Sequence, residues 1–387
     1  MPLSGATVLQ IIPHLSAGGA ERTTIEVAEA LVAANAKALV VSVGGRLEGE
    51  LLRAGGELIR FDSAPTKNPI QLYVNAGSLA KIIKERKVDL VHARSRAPAW
   101  SAMWAAHRTK KPFVTTYHGV YKAKSGIKRW YNSVMARGDL VIANSEYTAA
   151  HVREQHAIPA DRIVTIPRGV DISRFSPDKV SPARKAALAK TWRLPEQNNA
   201  ALILLPARMT GWKGHREAVY AASLLAAREG QSWRMVFAGD EQGREGYLEE
   251  LRQLISSHGL DDRIAMVGHC DDMPAAFALA DIVIAPSNEP EAFGRVAAEA
   301  GAMGVPAIGS SIGAQAEIIL HGETGLIVPP ANPPALAEAM SNLLSRGPES
   351  RKAMGRAAML RVREKFTTAA LQQATLAVYD KLIGRPA

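Results

Sequence analysis

Apolar and polar positions follow one repeating order along the chain: a short β-branched run, a polar loop, and then an amphipathic helical pattern. Residues 7–12 (TVLQII) form the first such run, and apolar positions at helical spacing continue to about residue 35. Strands that alternate with helices in this way predict a mostly parallel sheet covered on both faces. The first half contains further predicted strands at residues 38–43, 58–61, 89–92, 113–116 and 140–143, and predicted helices at residues 71–86 and 97–107.

The same order returns in the second half of the chain. Predicted strands there cover residues 200–205, 234–238, 264–267, 282–285 and 304–308. Predicted helices cover 216–227, 247–257 and 334–382, the last interrupted by breaks near residues 346–348 and 366–367. Residues 162–177 are predicted to form a strand followed by a Pro- and Gly-rich passage, and this segment, which separates the halves, has the composition of an inter-domain linker. Since 387 residues exceed what one core usually holds, we expect two domains, residues 1–170 and 171–366. The predicted fold class is α/β, with two doubly wound parallel sheets.

Several polar residues follow predicted strands, at the sheet edge where ligands of such folds bind. Gly18 and Gly19 follow the first strand, where they permit close backbone approach to a ligand at a helix start. The full G-x-G-x-x-G dinucleotide fingerprint is not present there. His118 follows the strand at 113–116 and precedes Gly119, so it is a candidate ligand contact. Capping of the next helix is the alternative role for this histidine.

The stretch at residues 287–300 joins a predicted strand to a predicted helix and carries three glutamates. Glu291 belongs to the loop, Gly294 opens the helix, and Glu299 lies inside it. Free N–H groups at a helix start favour anions, and the two carboxylates could contact one ligand from the loop and from the helix. A solvated helix face after a proline turn explains the same residues.

Two cations, Arg208 and Lys213, occupy the loop that follows the strand at 200–205. Fixed cations suit a diphosphate because they neutralise the charge that grows as a phosphate leaves. Two unrelated surface cations are the alternative interpretation.

The net charge is +10, and most of the excess lies in the first half. Residues 1–171 hold 23 Lys and Arg against 14 Asp and Glu, whereas the rest of the chain holds 24 against 23. Residues 81–137 contain 14 basic side chains and two acidic ones, a one-sided field suited to nucleic acid, an anionic membrane or an anionic lipid-linked sugar. A contribution to solubility alone is the alternative.

Basic and aromatic residues interleave at positions 120–131, a composition typical of the boundary between water and anionic lipid headgroups. An ordinary exposed helix is the alternative. No run of about 18 apolar residues is present, so we expect a cytoplasmic protein without a transmembrane helix. Cys270 is the single cysteine, which excludes an intrachain disulfide and a zinc site of cysteines. The candidate acceptor or membrane contacts are Lys122, Lys124, Lys128, Arg129 and Trp130.

Together these motifs resemble those of the retaining glycosyltransferases of family 4, the glycosyl transferases group 1, which have the GT-B fold. The resemblance covers nearly the whole chain. Around residues 212–214 and 289–295 the amino-acid sequence is most similar to that of bacterial lipopolysaccharide core mannosyl- or glucosyltransferases. The motifs that carry it, in order, are Gly18-Gly19, His118-Gly119, Pro167-Arg168-Gly169-Val170-Asp171, the Arg208/Lys213 loop, Glu291 with Glu299 at E-x7-E spacing, and Gly322-Glu323-Thr324-Gly325-Leu326.

The resemblance implies two Rossmann-like domains facing a central cleft, with the acceptor on the first domain and the nucleotide sugar on the second. A final helix, about residues 367–387, would cross back to the first domain. The implied reaction transfers a hexose to an acceptor hydroxyl with retained configuration, and the leaving phosphate takes the acceptor proton. No metal or other cofactor is expected. The implied partners are a nucleotide sugar, an anionic lipid-linked glycan and the inner face of the cytoplasmic membrane, bound peripherally, and not nucleic acid.

The resemblance also implies roles for individual residues. Arg208 and Lys213 would bind the diphosphate, Glu291 would hold hydroxyls of the donor sugar, and His118 would position the reacting sugar. Glu299 would accept hydrogen bonds from the ribose, and backbone N–H groups at 294–296 would assist at the diphosphate. The full implied donor-binding set is Gly18, Gly19, Gly239, Val267, Met273, Phe293, Gly294, Arg295, Val296 and Glu299.

The sequence departs from the family pattern at two places. Residues 312–317 lack a Gly-Gly pair that is common there, and Arg168 occupies a position where asparagine is frequent. Other functions also remain open: transfer to an exopolysaccharide, a phosphoinositide or a soluble metabolite, or the chemistry of a GT-B epimerase or phosphorylase. A nucleic-acid-binding protein is disfavoured because no recognised module for that function is present.

Overall fold

The chain folds as two compact units in the computed structural model, which describes residues 3–16, 18–121, 125–194, 200–228 and 232–384. Unit 1 consists of Met1–Arg168 and Thr368–Ala387, and unit 2 consists of Gly169–Thr367. The last helix of the chain therefore belongs to the unit formed by its first half.

Unit 1 is built on a parallel sheet. Its described strands are Thr7–Ile11 (β1), Lys37–Ser42 (β2), Glu57–Arg60 (β3), Leu90–Ala93 (β4), Phe113–Tyr117 (β5), Leu140–Ala143 (β6) and Ile163–Thr165 (β7). Their order in the sheet is β3-β2-β1-β4-β5-β6-β7. The helices are Gly19–Ala33 (α1), Glu48–Arg53 (α2), Pro69–Glu85 (α3), Arg96–Thr109 (α4), Gly126–Asn132 (α5), Glu146–His156 (α6) and, at the end of the chain, Thr368–Ile383 (α15), with 3₁₀ turns at Ser133–Ala136 and Ala160–Arg162.

Unit 2 repeats this architecture. Its described strands are Ala201–Pro206 (β8), Trp233–Ala238 (β9), Ile264–Gly268 (β10), Ile282–Ala285 (β11), Ala307–Ser310 (β12) and Gly325–Val328 (β13), in the order β10-β9-β8-β11-β12-β13. Its helices are Pro182–Thr191 (α7), His215–Ala226 (α8), Glu245–Ser257 (α9), Met273–Leu279 (α10), Arg295–Ala302 (α11), Gln315–Ile318 (α12), Pro333–Ser345 (α13) and Gly347–Lys365 (α14), with 3₁₀ turns at Pro177–Lys179 and Gly211–Lys213.

Each sheet is covered by apolar layers on both faces. In β1, Val8 packs into the layer shared with α1 and α15, whereas its neighbour Leu9 packs into the layer shared with α3 and α4. Both side chains are fully buried. A strand buried on both faces reads as a continuous apolar run, because successive side chains point to opposite faces.

The predicted α/β class and the two doubly wound parallel sheets are confirmed. One strand lies later than predicted: the strand expected at residues 304–308 is Ala307–Ser310. Gly304 has φ +71° and ends the turn that follows α11, and Pro306 has no N–H for a sheet ladder. Strand Gly325–Val328 and helix Pro182–Thr191 were not predicted.

The strand order of each sheet reverses once. The reversal lies between β1 and β4 in unit 1, and between β8 and β11 in unit 2. The loops that follow the two central strands leave the sheet in opposite directions there and open a crevice at the carboxyl edge. In unit 2 these two loops contain Lys213 and Glu291.

Candidate active site

Lys213 and Glu291 form an ion pair at the strand-order reversal of unit 2. Lys213 Nζ lies 2.7 Å from Glu291 Oε1, and the two side chains are only 13% and 12% exposed. Ser287 donates a second hydrogen bond to the same carboxylate oxygen at 2.6 Å. The Lys213 ammonium also lies 4.2 Å from the centroid of the Trp212 ring. Limited solvent strengthens these interactions, so both charged groups are held in one geometry.

Two glycines allow the loops around this pair to approach each other. Gly214 has φ +81°, and a Cβ there would lie 2.0 Å from the Pro286 carbonyl oxygen. Gly313 has φ +81°, and a Cβ there would lie 2.5 Å from backbone atoms of Glu291. The segment at residues 312–317, which departs from the family pattern, thus supports the Glu291 backbone, and Ala314 N donates to Glu291 O at 2.8 Å.

The next helix, α11, begins at Gly294, the N-cap residue, which has φ +91°. A Cβ at Gly294 would lie 3.1 Å from Gln315. Phe293, which the resemblance places in the donor-binding set, is a core residue: it is 4% exposed and packs edge-on against Phe366. At this position only the backbone of Phe293 is therefore available to a ligand at the loop, because the ring packs in the core. The first N–H groups of α11 have no partner within the helix and favour an anion.

Glu299 lies within α11, one turn after Arg295. Its side chain is 14% exposed, and its carboxylate is 4.0 Å from the Arg295 guanidinium. Burial raises the pKa of Glu299 to about 7, although Arg295 and Arg174 favour the ionised form. The carboxyl group consequently titrates near neutral pH.

Among the remaining donor-site candidates of unit 2, Arg208 is exposed and the other residues pack against neighbouring backbone or the apolar core. Arg208 is exposed and forms no ion pair with the part of the chain that the structure describes. Gly239 is required for packing, because a Cβ there would lie 1.8 Å from the Ala207 carbonyl oxygen. Val267 and Met273 are partly buried against the apolar core.

In unit 1, His118 and Arg168 are in direct contact. Arg168 Nη2 lies 3.3 Å from His118 Nδ1 and donates to the His118 carbonyl oxygen at 3.2 Å. Gly18 is the N-cap of α1, and a Cβ at Gly19 would lie 2.2 Å from Arg168 Nη1. The guanidinium therefore lies directly over the glycine loop.

His118 is kept neutral by its surroundings. Burial is the main cause that holds its pKa well below the ordinary value, and the nearby guanidinium groups of Arg168 and Arg94 lower it further. Two positive neighbours disfavour an imidazolium. His118 is accordingly available as a neutral hydrogen-bonding ring.

Several buried polar residues near these positions were not among the predicted site residues. Arg94 is 2% exposed, and its Nε donates to Gln10 Oε1 at 2.8 Å. His92 lies between two hydroxyl groups, with Tyr379 of α15 at 2.6 Å and Thr116 at 2.7 Å. These contacts join α15 to the centre of the unit 1 sheet. His92 is the last residue of the predicted strand at 89–92, and this position at the ligand-binding edge is a sequence signal that points to it.

Part of the predicted basic and aromatic cluster lies on α5 of unit 1. Lys128 and Arg129 are exposed on that helix, and Trp130 stacks on Trp100 with ring centroids 4.5 Å apart. Ile127 on the same helix is 83% exposed. Lys122 and Lys124 lie outside the described residues.

Two further properties bear on the chemistry. Within the described ranges, no group of three or more His, Cys, Asp or Glu is arranged to hold a metal ion. None of the helices in the described part of the chain combines the length and apolar composition that crossing a bilayer requires.

Comparisons with known proteins agree with this architecture. The family model for Glycosyltransferase Family 4 matches residues 17–174, and that for Glycosyl transferases group 1 matches residues 189–361. The crystal structure of a glycosyltransferase from Rickettsia africae is 36% identical, with a TM-score of 0.91, and the match covers 99% of this chain and 100% of that one.

Two curated relatives are similar over part of their length. A D-inositol 3-phosphate glycosyltransferase from Xylanimonas cellulosilytica is 30% identical over 66% of this chain and 64% of its own. A GDP-mannose-dependent alpha-(1-6)-phosphatidylinositol monomannoside mannosyltransferase from Mycobacterium tuberculosis is 32% identical over 53% of this chain and 52% of its own. The chain thus matches less than two thirds of each of these relatives. The family models, the Rickettsia structure and the two parallel sheets together identify the chain as a glycosyltransferase of family 4, with the GT-B fold.

Proposed function

We propose that this protein transfers a hexose from a nucleotide-diphosphate sugar to an anionic, lipid-linked glycan, with retention of the anomeric configuration. The donor is of the GDP-mannose or UDP-glucose type, and the acceptor is of the lipopolysaccharide core type. The observation that carries the proposal is the buried Lys213–Glu291 pair at the strand-order reversal of unit 2. That is the position where doubly wound sheets bind nucleotides.

The donor would be held by charges and hydrogen-bonding groups of known geometry. A lysine ammonium has three N–H donors, and Glu291 occupies one of them, which leaves others for diphosphate oxygens. Arg208 would supply a second cation, and the N-terminus of α11 would add backbone N–H groups. Similarity to a GDP-mannose-dependent relative supports a nucleotide-sugar donor.

The proposed reaction needs one bond to form and one to break at the anomeric carbon. The acceptor oxygen forms the new glycosidic bond, the bond from that carbon to the phosphate oxygen breaks, and the leaving phosphate takes the acceptor proton. Lys213 and Arg208 would neutralise the charge that accumulates on the departing diphosphate. Glu291, fixed by Lys213 and Ser287, would orient the sugar hydroxyls. Because these two cations supply the electrostatic stabilisation, we expect turnover to persist in EDTA.

The acceptor side of the proposal rests on unit 1. Lys128 and Arg129 place exposed positive charge beside exposed Ile127 on α5. On α3, Ile70, Tyr73 and Val74 form a further exposed apolar face at helical spacing. Positive and apolar side chains on one surface suit an anionic membrane. We therefore propose peripheral binding to the inner face of the cytoplasmic membrane, with Trp130 and the basic residues near the lipid headgroups.

Ile127→Asp is expected to lower binding to vesicles that contain anionic lipid by about tenfold. The substitution removes an apolar contact and adds a negative charge that the anionic lipid repels. Sedimentation with anionic and neutral vesicles, at low and high salt, measures this. Leu360→Asp is the matched control, since Leu360 is also highly exposed but lies on α14 of unit 2. Equal effects of the two substitutions, or no binding at low salt, would contradict the proposed membrane contact.

The pH dependence of donor binding tests the role proposed for Glu299. When ionised, its carboxylate accepts hydrogen bonds from the ribose hydroxyls at both oxygens, whereas the protonated group is a weaker acceptor because one oxygen carries the proton. Donor affinity should therefore rise as pH increases through about 7. The stability of the donor-free protein should change in the opposite direction. Because the pKa is raised from 4.5, protonated Glu299 stabilises the folded state. Its contribution to the free energy of unfolding is complete below pH 4.5 and is lost as pH rises through about 7.

Calorimetric titration with the nucleotide diphosphate over that pH range measures the affinity, and thermal melts measure the stability. Glu299→Gln is the control, and it should remove both dependences because the amide does not titrate. A donor affinity that falls with rising pH would contradict the assignment.

An inositol phosphate is the second candidate acceptor. It is favoured by the similarity to a D-inositol 3-phosphate glycosyltransferase and to a phosphatidylinositol mannoside mannosyltransferase. Both acceptor types carry phosphate, which the basic surface of unit 1 would attract.

The experiment that tests the proposed function is a thermal-shift screen of nucleotide sugars, followed by transfer assays in EDTA. Lipid-linked core oligosaccharide, phosphatidylinositol and soluble inositol phosphate would be compared as acceptors. Transfer to the lipid-linked glycan with retained configuration is expected. Exclusive transfer to inositol phosphate would establish the second candidate, and release of free sugar without any acceptor dependence would contradict both.

A further inference from the structure

Arg168 of unit 1 contacts both His118 and Gly19. Its Nη2 lies 3.3 Å from the ring Nδ1 of His118 and donates to the carbonyl oxygen of the same residue at 3.2 Å. Its Nη1 covers Gly19 closely enough that a methyl group there would lie 2.2 Å away. One guanidinium group thus holds the backbone and the ring of His118 and contacts the glycine loop.

The charge of arginine decides which ring nitrogen of His118 carries the proton. A guanidinium has only N–H donors and stays protonated in proteins, so His118 Nδ1 must accept the hydrogen bond. A neutral imidazole that accepts at Nδ1 carries its hydrogen on Nε2. We propose that Arg168 is a positioning residue that holds His118 as the Nε2–H tautomer, so that the ring donates a hydrogen bond to an oxygen of the reacting sugar. This proposal rests on the proposed transferase function.

The surroundings of His118 favour the neutral ring that this role requires. The charged and titratable groups near it include the guanidinium groups of Arg168 and Arg94, the imidazole of His92 and the phenol of Tyr121, which is hydrogen-bonded to the His118 backbone. Both guanidinium groups lower the pKa of His118, in the same direction as its burial. An imidazolium would donate from both nitrogens and would repel Arg168.

For the other ring nitrogen, the described residues offer no hydrogen-bond partner. His118 Nε2 is buried and has no hydrogen-bond partner within the described parts of the chain. A buried donor without an acceptor is costly, so a ligand oxygen would satisfy a group that has no acceptor among the described residues. Sugar hydroxyls supply such oxygens, and they accept as well as donate.

Gly19 receives a different role from the one that the family resemblance implies. Its lack of a side chain leaves room for the Arg168 guanidinium, and an alanine would force that flexible group to move. This makes Gly19→Ala an independent way to displace Arg168 without removing its charge. The position of Gly19 at the start of α1 tolerates alanine conformationally, because φ there is not positive.

The tautomer is measured directly by ¹⁵N NMR of the histidine-labelled full-length protein. His118→Asn assigns the signal by its loss. We expect wild-type His118 to be neutral and protonated on Nε2 at neutral pH, and we expect Arg168→Met to shift the ring towards a mixture of tautomers. Gly19→Ala should cause the same shift. A ring protonated on Nδ1, an imidazolium, or a spectrum unchanged by both substitutions would overturn the proposal.

Kinetics then test whether the tautomer matters for transfer. Arg168→Met and Gly19→Ala should each lower kcat by about tenfold or more, with little change in the donor KM, because the hydrogen bond serves the reacting geometry. Their double variant should be no worse than the more affected single variant. Arg162→Met is the matched control: Arg162 is a partly buried arginine of unit 1 that donates to the Gly138 carbonyl oxygen. It should leave kcat and the His118 signal unchanged.

Failure of this proposal and failure of the proposed function are distinguishable. If no nucleotide sugar supports transfer, the function fails, and the NMR result still decides whether Arg168 sets the tautomer. If transfer occurs but the Arg168→Met and Gly19→Ala variants keep the wild-type kcat, the catalytic role of the tautomer is overturned while the function stands. Thermal melts of each variant separate these outcomes from unfolding.

Discussion

Lys213→Ala is expected to lower kcat at least about a hundredfold, equivalent to about 2.7 kcal/mol of transition-state stabilisation. The substitution removes a cation proposed to meet the leaving diphosphate. It also leaves the Glu291 carboxylate, 12% exposed, without its ionic partner. Initial rates with the donor and acceptor found in the screen measure the effect, and a thermal melt reports whether the variant stays folded.

Two control variants sharpen this result. Lys213→Arg keeps the charge but replaces a compact ammonium group with a planar guanidinium group, so an intermediate loss of activity is expected. Arg228→Ala removes a cation from an exposed ion pair with Glu338 in the same unit and should leave kcat unchanged. Near-normal turnover in Lys213→Ala would contradict the assignment of the site.

Glu291→Ala is expected to lower kcat by a similar factor, at least about a hundredfold. The carboxylate accepts from Lys213 and Ser287, so its removal loses the proposed sugar contact and frees the lysine to adopt other rotamers. Steady-state kinetics with the same donor measure the loss. Glu291→Gln tests the need for charge, because the amide keeps an acceptor oxygen but cannot form the ion pair.

The double variant reveals whether the two residues act as one unit. Since their charged atoms are in contact, the combined effect of Lys213→Ala and Glu291→Ala should fall well short of the sum of the single effects in free energy. Arg228→Ala combined with Glu291→Ala is the comparison and should be additive. Strict additivity for Lys213 and Glu291 would show that the pair does not act jointly in catalysis.

The arrangement suggests why a carboxylate and a cation are paired before any ligand binds. Glu291 holds one Lys213 hydrogen bond and limits its motion, so little rotamer entropy remains to be lost when the diphosphate arrives. Ser287, to which sequence reasoning gave no role, contributes to the same restraint. The carboxylates of this site therefore fit positioning, and neither is our candidate for a nucleophile.

Local patterns were sufficient for most of the fold. The predicted strand at residues 140–143 is Leu140–Ala143, and the predicted breaks near residues 346–348 and 366–367 are the ends of α13 and α14. The strand predicted at 304–308 was displaced, because a glycine turn and a proline interrupt an apolar run whose composition alone resembles a strand. Phe293 looked like a site residue by its place in a motif, and only its packing against Phe366 shows that its ring serves the core.

By itself, the sequence determined the α/β class, the two-sheet organisation and the motifs that mark the family, because each depends on spacing within one strand, loop or helix. Only the tertiary structure decided which of the motif residues touch. Lys213 and Glu291 are 78 residues apart, and His118 and Arg168 are 50 apart. These contacts depend on strand order and on how closely glycine loops pack, and such long-range pairings are not encoded in any local period. For the same reason, the tautomer proposed for His118 follows from a contact that no motif contains.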